Sequence, residues 1–224
     1  MISLPYHSHG SLGQEASYSG MSVRYVYLVC NPVISSLHDL QAVLEAAVKY
    51  DLECAISVLR KMLVSPHFLE MSPLRIYAIA CQHDLEEEAK IAARYTLNTN
   101  LLDAPLSEDL RHINAYSYHQ LLTLHRRRSQ AAQDLIRMTD QVRCMQCNGS
   151  PFNVDGAPKW WFVFEKTAKQ ELAVRPSTDV VFGMEFLFRA ANKAGCPRCP
   201  ESVLDSWRFL RDLKAAIDAL PETI

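Results

Sequence analysis

Two cysteine pairs constrain this chain more than any other feature: Cys144-Met-Gln-Cys147 and, much further along, Cys196-Pro-Arg-Cys199. A C-x-x-C turn presents two thiols from one bend of backbone. Two such turns brought together supply the four thiolates that a structural Zn2+ takes in a closed tetrahedron. Residues 148–195 separate the pairs, well beyond the ~15–20 residues of the commonest pattern. Spacing weakens the match without defeating it. Lengthening a flexible loop from about 18 to about 48 residues costs only ~0.9 kcal/mol, against roughly 10–16 kcal/mol for structural zinc binding. The competing readings are a redox dithiol, a pair of regulatory disulfides and four unligated thiols. A thioredoxin-like pair wants a βαβ context that is missing here, and one pair before a Gly turn with another after a helix cap favours metal. The candidate ligands are therefore Cys144, Cys147, Cys196 and Cys199, with Zn2+ as the cofactor they imply.

The residues around these pairs predict helices. Asn148-Gly149 is a turn signal that suits a knuckle with backbone amides facing the sulfurs. Pro158 falls in the first turn of a helix carrying Trp160, Trp161, Phe164, Ala168 and Leu172 on one face, closed by Arg175-Pro176. That spacing makes the two tryptophans core residues rather than an exposed platform. Ser177 or Thr178 restarts a helix with Val180, Val181, Met184, Leu187, Phe188 and Ala191 buried, and Gly195 caps it just before Cys196. Pro200 opens a last helix burying Val203, Trp207, Leu210, Ile217 and Leu220. Cys199 then sits at a helix N-terminus, where the dipole lowers a thiol pKa.

The N-terminal half also reads as helical. Residues 1–22 are turn-rich and weakly apolar, which predicts disorder, and residues 23–29 are β-branched and aromatic enough for one strand. From Ser36 the period becomes helical through Leu40, Val43, Leu44, Ala47 and Val48. Asp51 is expected to cap a second helix with Ala55, Leu59, Met62 and Leu63 inside, and Ser72-Pro73 to start a third through Leu74, Tyr77, Ala78 and Cys81. Asp84-x-x-Glu87 reads as a capping box for a fourth. Tyr50-Asp-Leu-Glu53 and His83-Asp-Leu-Glu86 recur 33 positions apart, implying two stacked helical hairpins. Ser107-Glu-Asp109 begins the longest predicted helix, with Leu110, Ile113, Ser117, Leu121, Leu124, Ala131 and Leu135 as its stripe. Residues 139–142 are short and polar, a boundary before the cysteine-bearing part.

Other candidate sites read as structural. Arg126-Arg-Arg128 spreads around the helix circumference rather than forming a stripe, so it is expected to be solvated or to meet a partner's charge. His112, Tyr116 and His119 lie on neighbouring turns but lack the i, i+4 His pair with a carboxylate that a metal site wants. Cys81 fits core packing, and Cys54 and Cys30 are expected to do the same. A formal net charge of -2 over 224 residues excludes the global basic field that draws proteins to nucleic acid or anionic lipid. No secretory leader and no 18-residue apolar run is present, which predicts an intracellular protein that does not enter membranes. Signatures such as G-x-S-x-G, a P-loop, a dinucleotide fingerprint or H-E-x-x-H are also missing.

Residues 37–97, in particular LQAVLEAAVKYDLECA, SPHFLEMSPLRIYAIA and LEEEAKIAARYTL, resemble the C-terminal half of BTB/POZ proteins and the helical hairpin that follows it. LSEDL, AYSYHQLL, CMQCNG, PKWW, CPRCP and LDSWRFL look more specifically like the BTB-domain proteins abundant in mushroom-forming fungi, and the likeness runs over residues 23–224. It implies protein–protein interaction, since BTB domains self-associate and some serve as adaptors for cullin-type ubiquitin ligases or as transcriptional cofactors. A complete BTB domain opens with a sheet-and-helix half that carries the main dimer surface. Only residues 1–20, different in character, precede the strand-like run here, so self-association through that surface and cullin docking both hang on a half that this sequence is expected to lack. The combined expectation is a mainly α-helical, non-enzymatic adaptor or scaffold. A disordered stretch (1–22) leads to a partial BTB/POZ-like helical region (23–100), a long connecting helix (101–140) and a helical C-terminal region with a four-cysteine zinc site (141–224). A thiol-based redox enzyme or sensor and a zinc-stabilised nucleic-acid or transcription-associated protein stand as alternatives.

Overall fold

The computed structural model of the chain describes residues 34–103, 106, 108–139, 142–148 and 156–224. The expected strand at 23–29, the stretch 1–22 and Cys30 lie outside the described residues. Among the described residues there are eleven α-helices, one 3-10 turn and no strand, so the protein is mainly α-helical. Two compact units are formed, one from residues up to Ala92 together with Glu108–Ile113, the other from Ala93–Ser107 and Asn114–Ile224. The polar stretch 139–142 lies inside the second.

The first unit contains α1 (Leu37–Lys49), α2 (Glu53–Leu63), α3 (Pro66–Met71), α4 (Pro73–Gln82) and the start of α5 (Glu86–Thr96). Ser36 caps α1 by accepting the Asp39 N–H at 3.0 Å. Leu40, Val43, Leu44 and Ala47 are buried on its inner face, which packs on α2 through Ala55, Leu59 and Leu63. Val48, expected inside, is exposed at the end of that stripe, and so is Cys54, which falls in the first turn of α2 on its outer side. Cys81 is half-buried. The Arg60 guanidinium meets Glu88 with two parallel bonds of 2.8 and 2.9 Å, and Arg75 reaches the carboxylate of Asp109 at 2.7 Å.

Asp51 and Asp84 do not cap the helices that follow them. Both take left-handed backbone, φ 54° and 53°, and end the helices that precede them. The Leu52 N–H bonds back to the Ala47 carbonyl at 2.9 Å and the Asp51 N–H to Val48 at 3.2 Å. Leu85 to Ala80 at 2.9 Å and Asp84 to Cys81 at 3.5 Å repeat the pattern. This is the six-to-one, five-to-two bond pair of a Schellman motif. The Asp-Leu-Glu echo is thus a repeated C-terminal cap, because aspartate is one of the few non-glycine residues that tolerate left-handed backbone.

The second unit holds the end of α5 and α6 (Ala115–Leu135), α7 (Lys159–Val174), α8 (Thr178–Val181), α9 (Met184–Lys193), α10 (Cys199–Asp205) and α11 (Trp207–Asp218). The long helix expected from Ser107 is interrupted. Glu108–His112 form the 3-10 turn and Asn114 starts α6 afresh, its Oδ1 accepting the Ser117 N–H at 2.7 Å. Helix α7 packs against both α6 and α9. Trp160, Trp161, Phe164, Ala168 and Leu172 are all fully buried, as their spacing predicted. Trp161 meets Phe209 edge-on at 5.5 Å between ring centroids, and Phe164 meets Phe182 and Phe186 at 6.0 and 6.1 Å. Burial of each large aromatic contributes about 2–3 kcal/mol.

Two breaks turn expected core residues outward. Gly183 separates α8 from α9, with its α-carbon so close to the Val180 carbonyl that a Cβ would lie 3.1 Å from the oxygen. The phase of α9 shifts, leaving Met184 and Phe188 exposed while Phe182 and Phe186 pack on the core. Ser206, whose hydroxyl donates to the Ser202 carbonyl at 2.8 Å, divides the last predicted helix into α10 and α11, and Trp207 faces outward while Leu210, Leu213 and Ile217 are buried.

Arg128 also departs from expectation. Arg126 and Arg127 are exposed, but Arg128 falls on the stripe of Leu121, Leu124 and Ala132 and is buried. Its guanidinium donates to the carbonyls of Pro176 at 3.0 Å, Ile217 at 3.2 Å, Leu220 at 2.5 Å and Pro221 at 3.2 Å, with the Glu222 carboxylate 3.4 Å away. It pins the chain after α7 and the chain after α11 to α6.

Candidate metal centre

The first knuckle is an irregular turn entered from Val142. Asn148 closes it twice, accepting the Cys144 N–H on its side-chain Oδ1 at 2.6 Å and donating its own N–H to the Cys144 carbonyl at 3.3 Å. This side chain does more than the turn signal implied. The second knuckle begins where α9 ends. Gly195 takes the left-handed conformation, φ 65°, that lets the chain leave the helix, and Cys199 closes the turn with an N–H bond to the Cys196 carbonyl at 3.1 Å while opening α10.

These turns bring the four predicted residues together. Cys144, Cys147, Cys196 and Cys199 are all buried, and their sulfurs all lie within 4.8 Å of one another. Cys144 approaches Cys196 at 3.9 Å and Cys147 approaches Cys199 at 3.8 Å. A tetrahedron with metal–sulfur bonds of ~2.3 Å has sulfur–sulfur edges of about 3.8 Å. The two cross-turn approaches match that edge, and the cluster can hold a metal ion. Helices α7, α8 and α9 lie in the 48-residue gap between the two knuckles. Among the described residues this is the one group of three or more such side chains spaced to bind a metal.

Backbone amides face the sulfurs, but those of Lys159 and Trp160 come from the start of α7 rather than from the expected Asn148-Gly149 turn, of which Gly149 lies outside the described residues. The Lys159 N–H points at the Cys147 sulfur at 3.4 Å, and the amides of Arg198 and Trp160 favour the ionised forms of Cys196 and Cys199. Burial opposes them. It raises the Cys199 thiol well above its ordinary value despite the N-terminal position in α10, correcting the expectation that the helix dipole would lower it. Burial raises Cys147 likewise. At Cys196 burial also pushes upward, but the Arg198 amide and the neighbouring sulfurs outweigh it and the thiol falls below its ordinary value. A dication among the sulfurs offsets the cost of enclosing thiolates in this way.

Outside the ligands lies a hydrogen-bond chain that sequence reasoning missed. The Trp160 indole N–H donates to Ser202 Oγ at 2.9 Å, and the Ser202 hydroxyl donates in turn to the carbonyl of Arg143. Ser202 is on α10, three residues after Cys199, and Arg143 precedes Cys144, so this chain ties one knuckle to the other through the core tryptophan. The signal available was Trp160 itself, since a buried indole N–H usually finds an acceptor, although the equally buried Trp161 indole has none among the described residues.

His112, Tyr116 and His119 are each exposed. Among the described residues no helix is long and apolar enough to cross a membrane. Comparison with models of known protein families, with curated proteins and with solved structures finds no match to this chain.

Proposed function

We propose that the four-cysteine centre is a structural Zn2+ site, and that the chain is a non-enzymatic protein–protein interaction module of the BTB-related adaptor or scaffold kind, with the metal holding its C-terminal part together. The observation that carries the metal assignment is the set of four buried sulfurs from two C-x-x-C turns, all within 4.8 Å of one another and with both cross-turn approaches at the edge length of a ZnS4 tetrahedron. Four thiolates leave no coordination position for water or substrate, which is the arrangement of structural rather than catalytic zinc. When bound, the ion supplies charge neutralisation and a cross-link. The protein's residues do the rest: Asn148 shapes the first turn, Gly195 releases the chain into the second, and Trp160 and Ser202 hold the two in register. The interaction role rests on the resemblance to BTB-domain proteins and on the helical scaffold around the site.

Elemental mass spectrometry of the purified full-length protein, with Cys144→Ser and Cys196→Ser in parallel, tests the metal. About one zinc per chain, lost in both variants, is the expected result, and any other stoichiometry refutes a shared site. Affinity purification tests the interaction role. Recovery of no partner, together with a thiol-dependent activity abolished in Cys199→Ser, would assign the chain to redox enzymes instead.

A further inference from the structure

The knuckle tips suggest how the same centre responds to oxidants. The ligands are buried, yet every residue between them is exposed: Met145 at 97% and Gln146 on the first turn, Pro197 and Arg198 on the second. The centre therefore lies directly beneath the surface, under a cover one residue thick on either side. Sulfur approaches of 3.9 Å for Cys144 with Cys196 and 3.8 Å for Cys147 with Cys199 join each cysteine to one on the opposite turn. Within each turn the backbone is fixed by its own bonds, Asn148 around Cys144 and the Cys199 N–H to Cys196. Across the turns, each pair has about 1.8 Å to close to reach the ~2.05 Å of a sulfur–sulfur bond. The Trp160–Ser202–Arg143 chain holds the turns opposite each other.

We infer that the centre is a peroxide-sensitive clamp that releases its metal by forming two disulfides across the knuckles, Cys144–Cys196 and Cys147–Cys199, and so exchanges one cross-link for another. This rests on the zinc assignment above. In each half-reaction one thiolate attacks a peroxide oxygen. The O–O bond breaks, hydroxide leaves and is protonated to water, and a sulfenic acid remains. The facing thiolate displaces the sulfenic hydroxyl, which leaves as a second water, and the sulfur–sulfur bond forms. Two such reactions oxidise four thiolates by four electrons, reduce two hydrogen peroxide molecules to four waters with uptake of four protons, and free one divalent ion.

The test uses the full chain with its metal content measured first and its accessible thiols, Cys54 among them, blocked by alkylation while the metal protects the ligands. Hydrogen peroxide is then added with a chromogenic zinc chelator present, and disulfides are mapped by mass spectrometry without reduction. The expected result is one metal released for two peroxides consumed, both cross-knuckle disulfides, and a melting temperature above that of protein stripped by chelator under reducing conditions. Disulfides within the turns, Cys144–Cys147 or Cys196–Cys199, overturn the inference. So does retention of the metal at peroxide levels that fully oxidise a free cysteine, and in both cases the zinc assignment survives. Protein that carries no metal before peroxide is added refutes the assignment and the inference with it.

Discussion

Replacing Arg128 by methionine keeps the length of the side chain and removes its charge. The buried guanidinium serves four main-chain carbonyls, of Pro176, Ile217, Leu220 and Pro221, with Glu222 as its counter-ion. A hydrogen bond to a charged group is worth about 1.5–3 kcal/mol net, and acceptors left without a donor carry a desolvation cost as well. The carbonyls after α11 lie near the surface and recover water, which limits the loss. The two carbonyls that stay buried, of Pro176 and Ile217, set the value expected for Arg128→Met at about 3–5 kcal/mol. In a chain of this length it lowers the melting temperature by roughly 6–20 °C. Arg126→Met and Arg127→Met, two positions and one position away and exposed, should stay within about 0.5 kcal/mol of wild type. Urea unfolding followed by far-UV circular dichroism measures all three. A loss below about 1 kcal/mol for Arg128→Met, or equal losses at the three arginines, would refute the view that position 128 anchors the segments following α7 and α11.

Cys199→Ser, which removes the most deeply buried ligand, should abolish stoichiometric metal binding and make thermal unfolding insensitive to chelator, whereas wild type loses stability when chelator is added; equal chelator sensitivity in both would contradict a shared centre. His125, placed by burial at a pKa of about 4 against an ordinary 6.5, donates from Nε2 at 3.0 Å to a Thr96 hydroxyl whose own proton is committed to the Ala93 carbonyl. Its folded pKa lies below the unfolded one, so its contribution is fully present above pH ~6.5 and is lost as pH falls toward 4, by up to about 3 kcal/mol. The difference in stability between wild type and His125→Gln, measured by urea unfolding from pH 7.5 to 4.5, should fall across that window, and a flat difference would contradict it. Asp51→Gly and Asp84→Gly should each raise stability by about 0.5–1 kcal/mol despite the usual penalty for glycine near helices, since both aspartates are exposed and hold left-handed backbone; a shift of the urea midpoint to lower concentration would refute the assignment of strain.

Legibility in the sequence followed the continuity of each helix. The face of α7 could be read residue by residue because nothing interrupts its sixteen positions. After it, Val181, Leu187, Ala191, Val203, Leu210 and Ile217 are buried as their spacing predicted, and the misplaced residues are those next to a short break. Gly183 and Ser206 each reset the rotation, so Met184, Phe188 and Trp207 sit outside although their spacing matched a stripe. Asp51 and Asp84 misled for a different reason: aspartate suits both the start of a helix and a left-handed stop, and only the bonds of Leu52 and Leu85 distinguish the two. The four cysteines that cluster were legible because thiol pairs carry their own local geometry. The acceptors that surround them, Ser202 and the Arg143 carbonyl, were not, because a serine in a helix and a main-chain oxygen leave no pattern in one dimension.

The indole of Trp160 gives the protein an optical handle on its own centre. The ring is shut away from solvent, its N–H is committed to Ser202, and its main-chain amide bears on the Cys199 sulfur. Its emission should lie toward the blue and be quenched when cobalt, whose thiolate complexes absorb in the near ultraviolet, occupies the cysteine cluster. Loss of the bond to Ser202 on metal removal should move that emission to the red. Trp207, exposed on α11, adds a red-shifted component that aqueous iodide removes selectively. Occupancy of the cysteine cluster can then be followed in solution by intrinsic fluorescence, without any added label.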